Sequence, residues 1–263
     1  MRSLLHELFN KKNVIWSLAK NEIRSRYLGS YLGGFWVFIL PIVNVLVVWF
    51  AFEFGLKVGA QQGVPMIVWL ITGMVPWSFF AESLPSVTSS ILEKPYLVKK
   101  MVFNVELLPL VKIIASLLPF VFLFFVMIGI LLSSGVYPSI YWLQVPYYLI
   151  CLLSLVLAIA WSSSSVVVFY RDFSQIVAVG LQVGFWATPI IWSTSLIPER
   201  FEKFINLNPM AYVVAGFRDS FFGNTWFWNK PFEAAYYWAF VAIMFFVGLR
   251  SFRKLKPHFA DVL

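Results

Sequence analysis

The chain has 263 residues, of which 60% are hydrophobic and only 12% are charged. A soluble domain carries about 45–50% apolar and about 25% charged residues, so this composition excludes a soluble enzyme, a disordered chain and a fibrous repeat. The net charge is +8, yet the basic residues cluster at the ends of apolar segments, as membrane orientation requires. The sequence therefore indicates a multi-pass membrane protein with no nucleic-acid partner.

Residues 12–28, KNVIWSLAKNEIRSRYL, precede the first apolar segment and predict an amphipathic helix. Ile15, Leu18, Ala19 and Ile23 share one helical face, and polar and basic side chains occupy the opposite face. Such a helix lies along the membrane–water interface, here on the cytoplasmic side. The pattern leaves two roles open, a surface anchor and a partner-binding element.

Six apolar segments follow, each long enough to cross a hydrocarbon core that requires about 20 residues. They cover residues 35–56, 64–85, 107–133, 143–169, 174–194 and 232–250. Their hydrophobicity is continuous rather than alternating, which favours helices. The predicted fold class is an all-α integral membrane protein with six transmembrane helices.

The longest predicted connection, residues 195–231, is rich in aromatic and aliphatic side chains. Asn208-Pro209 is typical of a helix N-cap followed by proline at the first helical position. We therefore expect one short helix over 209–222 and another over 198–206. Both are too short to span, so they are predicted to be external, re-entrant or interfacial helices before the last span.

Counting Lys and Arg sets the orientation. With a cytoplasmic N-terminus, 15 of the 20 basic residues fall in cytoplasmic connections and tails. This bias predicts that both termini are cytoplasmic. Lys112, near the start of the third segment, is expected to extend its amine toward the lipid headgroups.

No catalytic motif is present in the sequence. It holds neither a G-x-x-x-x-G-K-[ST] phosphate loop nor a G-x-S-x-G nucleophile elbow, so we expect no enzymatic activity and no cofactor in this chain. The histidines are His6 and His258, in the terminal regions, and Cys151 is the single cysteine. A metal site is therefore not expected.

Two polar features of the apolar segments admit alternative interpretations. Glu53, Glu82 and Glu106 lie near the ends of predicted segments. A carboxylate in the middle of the membrane would suggest proton coupling. At a segment end, hydration or ion pairing of the carboxylate is the favoured interpretation. The run Ser162–Ser165 lies inside the fourth segment. Close helix packing with back-bonding to the preceding turn is favoured there over contact with a substrate.

Aromatic residues make up 19% of the chain, and several lie within or beside predicted spans. Aromatic faces stack against the C–H faces of sugars, so an aromatic-lined path suits a glycan. For any single ring the alternative is a membrane-interface belt or core packing. The candidate channel aromatics are Trp36, Trp77, Phe80, Trp186 and Tyr212.

Several motifs, in this order, resemble the transmembrane subunit of ABC-type polysaccharide exporters, permeases that move O-antigen, capsule or teichoic acid polymers. They are RSRYLGSYLGGFWVFILP at 24–41, GMVPWSFFAESLPSVTSSILEKPYLVKKMVF at 73–103, YRDFSQIV at 170–177, TPIIW at 188–192, NLNPMAYVVAGFRDSFFG at 206–223 and FRKLKPHFADVL at 252–263. The resemblance extends over nearly all of residues 1–263, as a single transmembrane domain.

This resemblance implies a homodimer of six-span permeases bound to two copies of a separate ATPase subunit, which binds ATP and Mg. Its cytoplasmic coupling segment maps onto 91–103, and Pro95 departs from the family pattern in a way that shifts the start of that helix. The residues expected to contact the ATPase are Glu93, Lys94, Tyr96, Leu97, Lys99 and Lys100. The interfacial helix maps onto 12–28, and the two external helices within 195–231 are expected to gate the exit.

The expected function is therefore ATP-driven export of a lipid-linked polysaccharide, O-antigen above all, across the bacterial cytoplasmic (inner) membrane. Spans one and five are expected to line the channel. Arg24, Arg26 and Tyr27 are expected to meet the lipid diphosphate at the cytoplasmic surface, and Arg171 and Asp172 lie in a further cytoplasmic loop. The alternatives are teichoic acid or capsule export, a drug or lipid exporter, and a membrane glycosyl- or phosphotransferase, which would need clustered acidic residues.

Overall fold

The computed structural model describes residues 12–26, 35–99, 104–194, 198 and 204–263. Most of these residues are helical, and no β-strand occurs among them. The helices are α1 Lys12–Arg26, α2 Trp36–Phe50, α3 Met66–Ser89, α4 Pro95–Lys99, α5 Leu108–Ser133, α6 Val145–Phe169, α7 Phe173–Ala187, α8 Pro209–Arg218, α9 Pro231–Leu255 and α10 Phe259–Val262. One π-helical turn extends α2 and another extends α8. The predicted all-α class is confirmed for the described residues.

Within the part of the chain that the structure describes, five helical stretches are long and apolar enough to cross a membrane. They are Trp36–Gly55, Met66–Ser89, Val105–Ser133, Ile140–Phe169 and Pro231–Val262. They correspond to the first four predicted segments and the sixth. The protein is therefore a multi-pass membrane protein.

The predicted fifth segment, 174–194, holds the shorter helix α7, which has 15 residues. A helix of that length rises about 22 Å, less than the roughly 30 Å of a hydrocarbon core. The helix stops because Thr188 is extended, with φ −91° and ψ 136°. Pro189 follows it, and a proline disfavours helical backbone at the residue before it.

Helix α3 lies at the centre of the bundle and packs on α5, α6 and α8. The other extensive contact joins α6 to α9, where a Cβ at Gly248 would lie 3.1 Å from the carbonyl oxygen of Ala158. Each hydroxyl of Ser162–Ser165 donates to the carbonyl three residues earlier. The serine run therefore satisfies its own polar groups and lets the two helices approach, as predicted.

Helices α2 and α7 lie at the periphery, beside α3. Val37 and Val45 are the buried residues of α2, and among the described residues α7 buries none. Their exposed apolar surfaces contrast with α3, most of which is buried. This arrangement leaves a space between α2, α3 and α7 that is open on one side.

A second apolar cluster forms where the N-terminal helix meets the ends of α5, α6 and α9. It includes Ile15 and Ala19 of α1, Val98 of α4, Phe252 of α9 and Phe259 of α10. The buried face of α1 holds Ile15, Ala19 and also Glu22, an acidic residue that the apolar pattern did not single out. The cluster fixes α1 and α4 against the same end of the bundle.

Helix α8, which packs on α3 away from the second apolar cluster, begins where the sequence predicts a helix. The side chain of Asn208 accepts a hydrogen bond from the Met210 N–H at 3.0 Å, which confirms the predicted N-cap. The helix and its π turn reach Gly223. Of the other predicted short helix, over 198–206, residues 204–206 are helical, and residues 199–203 lie outside the described residues.

Candidate functional site

A cavity of about 590 Å³ lies between α2, α3 and α7 and is termed the aromatic groove. Apolar, aromatic and polar side chains from all three helices line it. They are Trp36, Val37, Leu40, Pro41, Asn44, Val48, Met74, Trp77, Ser78, Ala81, Glu82 and Phe185. The groove can therefore offer both flat apolar faces and hydrogen-bonding groups to one ligand.

Trp77 of α3 forms part of the groove wall and contacts aromatic residues of both α3 and α7. Its indole packs against the rings of Phe80 and Phe185, with centroid distances of 5.7 and 5.8 Å. A Cβ placed on Gly184 would lie 3.1 Å from the indole. The glycine therefore allows α7 to approach α3 closely while the indole still forms part of the groove wall.

The structure brings three of the five predicted channel aromatics together. Trp36 and Trp77 both line the aromatic groove. Phe80 contacts Trp77 and lines a smaller adjoining cavity of about 250 Å³, which reaches Asn208 at the start of α8. Trp77 lines both cavities, so the two spaces adjoin at its indole, between α2 and the start of α8.

The other two predicted channel aromatics lie elsewhere. Trp186 is 59% exposed and lines neither cavity, because its neighbour Phe185 occupies the inward face of α7. Tyr212 belongs to a separate aromatic cluster, where its hydroxyl lies 3.0 Å from that of Tyr147 and its ring stacks on Tyr237. Helical spacing alone did not distinguish these orientations.

A group of charges centred on the buried residues Glu22 and Lys112, termed the ion cluster, also includes Glu93 and Lys94. Lys112 is 3% exposed and forms ion pairs with both Glu22 and Glu93. Lys94 lies 3.1 Å from the other oxygen of Glu22. The prediction that Lys112 extends toward headgroups is wrong, because two carboxylates reach it inside the protein and a buried charge is retained where it is paired.

The electrostatics of Glu22 reflect opposing effects. Burial acts to raise the pKa of its carboxyl group, whereas hydrogen bonds and charges from Lys112 and Lys94 act to lower it. The net result is a pKa below the ordinary value of 4.5. Glu22 is therefore ionised at neutral pH and holds α1 to the start of α5.

The predicted coupling residues divide into two groups. Glu93 and Lys94 face the permease itself, through the ion cluster. Tyr96, which is 55% exposed, and Lys99 point outward, and Leu97 is half-buried. Lys100 lies outside the described residues.

Helix α4 begins at Pro95, in the first helical turn, which is where proline is tolerated. The position of the proline therefore sets where this helix starts. It also places Tyr96 within the first turn of α4.

The remaining predicted site residues do not form a cluster. Arg24 is exposed on α1, Arg26 is the last residue of that helix, and Tyr27 lies outside the described residues. Arg171 and Asp172 are exposed in the turn between α6 and α7. The carbonyl of Asp172 accepts the Gln175 N–H at 2.9 Å, which supports the first turn of α7.

Sequence reasoning did not single out Arg218, which is one of the five basic residues outside the predicted cytoplasmic connections and tails. It is 7% exposed and donates to the carbonyls of Pro189 and Ile190 at 2.5 Å and of Trp69 at 3.2 Å. Its guanidinium also lies 3.6 Å from the centre of the Trp69 ring. Burial lowers the pKa of Arg218 to about 9, so it stays positive at neutral pH.

Arg218 thereby supplies donors to carbonyls that the end of α7 leaves without helical partners. It joins α8 to the turn after α7 and to α3. The signal in the sequence was a lone arginine in an apolar helix, a residue that has to find partners inside the protein.

Comparisons with known proteins agree with this architecture. The family model described as ABC-2 type transporter matches residues 13–222, a range that includes the aromatic groove, the ion cluster and Arg218. An O-antigen export system permease protein RfbA of Klebsiella pneumoniae is 30% identical over 247 residues, 94% of this chain and 93% of that protein. A protein of the same name from Myxococcus xanthus is 27% identical over 225 residues, 84% of this chain and 85% of that protein. The chain belongs to the ABC-2 type transporter family, as a permease subunit whose ATPase is a separate protein.

Proposed function

We propose that this permease exports a lipid-linked polysaccharide, O-antigen, across the bacterial cytoplasmic membrane. It acts with a second copy of itself and with two copies of an ATPase subunit that binds ATP and Mg. The observation that carries the proposal is the aromatic groove, and the relatives named as O-antigen export permeases support the choice of polymer.

The chemistry of the groove suits a sugar polymer. Trp36, which is 37% exposed, offers a flat apolar face to the C–H faces of sugar rings, and Asn44 and Ser78 offer hydrogen bonds to hydroxyl groups. Trp77 is 7% exposed and forms part of the packed wall of the groove. A volume of about 590 Å³ is within the range of small-ligand sites, about 300–1,000 Å³. It therefore accommodates a short stretch of a polymer that passes through in steps.

The open side of the groove supports a dimer. Helices α2 and α7 present largely exposed apolar surfaces on either side of it. A second copy placed against these helices closes the groove into a channel. In this topology α7 is the fifth of six spans and both termini are cytoplasmic.

The ion cluster supports a route for mechanical coupling. Tyr96 and Lys99 remain available to an ATPase, while Glu93 and Lys94 bind α1 and α5 from the other side of the same segment. Movement of the coupling segment then moves α1 and α5 together. Arg24 and Arg26 meet the lipid diphosphate at the cytoplasmic surface, and the region 195–231 gates the exit.

Reconstitution with the partner ATPase tests this function. The chain and its ATPase are placed in proteoliposomes, and ATP turnover and transfer of labelled lipid-linked O-antigen are measured together. We expect Trp36→Ala and Trp77→Ala each to lower the polymer transferred per ATP hydrolysed. Phe125→Ala is the matched control, because that ring is 68% exposed on α5 and lies outside both the groove and the surface of α2 and α7 that is proposed to meet the second copy. We expect this variant to transfer polymer as the native chain does.

Three outcomes would reject the proposal. Failure of the chain to form a complex with any ATPase would reject its proposed role as a subunit of an ATP-driven transporter. Stimulation by small amphiphiles without polymer transfer would favour a drug or lipid exporter. Transfer of lipid-linked teichoic acid or capsule polymer in preference to O-antigen would replace the substrate while keeping the mechanism.

A further inference from the structure

A second groove lies at the C-terminal end of α9 and is separate from the aromatic groove. It has a volume of about 670 Å³ and is lined by Phe246, Leu249, Arg250, Arg253 and Lys254. Its wall is thus apolar toward the middle of α9 and basic toward the end of the helix. The α9 groove plays no part in the polysaccharide path proposed above.

The lining residues belong to one continuous stripe of α9. Residues spaced three and four apart share a helical face, and Phe246, Arg250, Arg253 and Lys254 have that spacing. One turn before them, Ile243 is 62% exposed, and Phe246 itself is 65% exposed. On this face of the membrane-crossing helix, the exposed apolar side chains of Ile243 and Phe246 are therefore followed directly by three basic side chains.

These three cations have no carboxylate partner among the described residues. Lys256, two positions after Lys254, differs from them, because it lies 3.0 Å from a carboxylate oxygen of Glu106 and 3.1 Å from the side-chain oxygen of Asn104. Like charges three and four residues apart repel one another. The C-terminal end of a helix favours positive charge. An anion that contacts Arg250, Arg253 and Lys254 would relieve their mutual repulsion more directly.

We propose that the α9 groove binds an anionic phospholipid of the bilayer. The phosphate lies against Arg250, Arg253 and Lys254, and an acyl chain lies along Phe246 and Ile243. Arginine suits phosphate because its guanidinium donates two parallel hydrogen bonds, and basic clusters that immediately follow a transmembrane helix attract anionic headgroups.

The apolar wall argues for this ligand over its competitors. A free phosphate ion would leave Phe246 and Ile243 without a partner. An acidic protein surface would cover the cations but would not extend along a strip of the helix that faces lipid. A phospholipid fills both halves of the groove.

Native mass spectrometry of the full chain provides the test. The chain is released from nanodiscs that contain equal amounts of phosphatidylglycerol and phosphatidylcholine in both leaflets, and the lipids that it retains are identified. We expect the native chain to retain phosphatidylglycerol. Each basic residue near the surface contributes about a fivefold gain in affinity, so the double variant Arg250→Gln, Arg253→Gln is expected to weaken retention by about 25-fold. The matched control is Lys57→Gln, Arg171→Gln, which removes two exposed charges elsewhere and should retain the lipid.

A second variant examines the apolar wall. Phe246→Ala is expected to weaken retention of long-chain phosphatidylglycerol and to leave binding of a short-chain analogue unchanged, because only the long chain reaches that ring. The side chain is 65% exposed, so the variant is expected to fold.

Three results would overturn the proposal. The first is equal retention of phosphatidylglycerol by the native chain and the double variant. The second is displacement of phosphatidylglycerol from the native chain by an equimolar polyprenyl diphosphate, which would assign the groove to the transported lipid. The third is loss of the lipid when the ATPase subunit binds, which would make this face a protein-docking surface.

Discussion

Lys112 of α5 donates a hydrogen bond to Glu22 of α1, a residue 90 positions earlier in the chain. The same ammonium group also binds Glu93, which precedes α4. One buried cation thus joins three segments that are distant in sequence. Because α1 and α4 lie where an ATPase is proposed to bind, we expect this contact to make them move as one unit.

Replacing Lys112 with methionine is expected to destabilise the protein strongly. The variant leaves the Glu22 carboxylate buried without its central cation, and breaking a buried ion pair from one side costs about 3–5 kcal/mol. Most of the loss comes from Glu22, since the side chain of Glu93 is 47% exposed and its pair is screened by solvent. Thermal unfolding of the purified chain in detergent measures the effect.

Lys20→Gln is the control for Lys112→Met, because Lys20 lies on α1 but is exposed and should change stability by less than about 0.5 kcal/mol. Adding Glu22→Gln to Lys112→Met should restore part of the lost stability. Equal melting temperatures for Lys112→Met and Lys20→Gln would contradict the buried pairing.

Acidification should weaken the attachment of α1. The pKa of Glu22 is lower in the folded protein than its ordinary value of 4.5. The stability that Glu22 contributes is therefore fully present above pH 4.5 and is lost as the pH falls through the lower folded pKa. Hydrogen exchange of the α1 amides, measured from pH 6 down to about pH 3, should show protection falling in that window. Glu22→Gln should remove this pH dependence; persistence of the same transition in that variant would assign it to another group.

Arg218 should not tolerate replacement even by lysine. Its guanidinium serves three carbonyls and stacks on Trp69, and an ammonium group reproduces neither the fork geometry nor the stacking. Each buried carbonyl left without a donor costs about 1–3 kcal/mol. We expect Arg218→Lys to lower the melting temperature and Arg218→Met to lower it further, with exposed Arg171→Lys as the control. A melting temperature unchanged in Arg218→Met would show that the turn after α7 finds other donors.

Gly216 of α8 should be intolerant of any side chain. A Cβ at this position would overlap the ring of Tyr148, which is 1% exposed and cannot move aside easily. Overpacking of this kind typically costs about 1–3 kcal/mol, more than the roughly 1 kcal/mol that alanine gains over glycine in a helix.

Gly129→Ala provides the comparison for Gly216→Ala, since nothing lies within 4 Å of a Cβ at Gly129. It should be neutral or slightly stabilising in the same thermal unfolding assay. Equal effects of the two substitutions would mean that Tyr148 can adopt another rotamer at little cost.

Properties that repeat along the chain were predictable, and pairings across it were not. Hydropathy located the long helices, and Asn208-Pro209 located the start of α8, because both depend on neighbouring residues. The partners of Lys112 and Arg218 depend on the packing of segments far apart in sequence. An apolar window could not reveal that a lysine near a span end turns inward to two carboxylates.

The aromatic groove was also predictable only in part from the sequence. The sequence named Trp36 and Trp77 as channel aromatics, and the structure places both at one cavity. The sequence also named Trp186, which is the same residue type but points away from the groove on α7. A ring's residue type follows from the sequence, whereas the direction in which it points depends on which face of its helix is covered.

The short length of α7 has a consequence for the surrounding lipid. In the proposed six-span topology this helix rises about 22 Å, so the hydrophobic thickness beside it is about 8 Å less than that of an average bilayer. Such a mismatch is relieved by local thinning of the membrane. Because the other five spans are long enough for an average bilayer, the thinning is confined to the lipid beside α7, and longer acyl chains are expected to slow the permease by deforming the bilayer at that one helix.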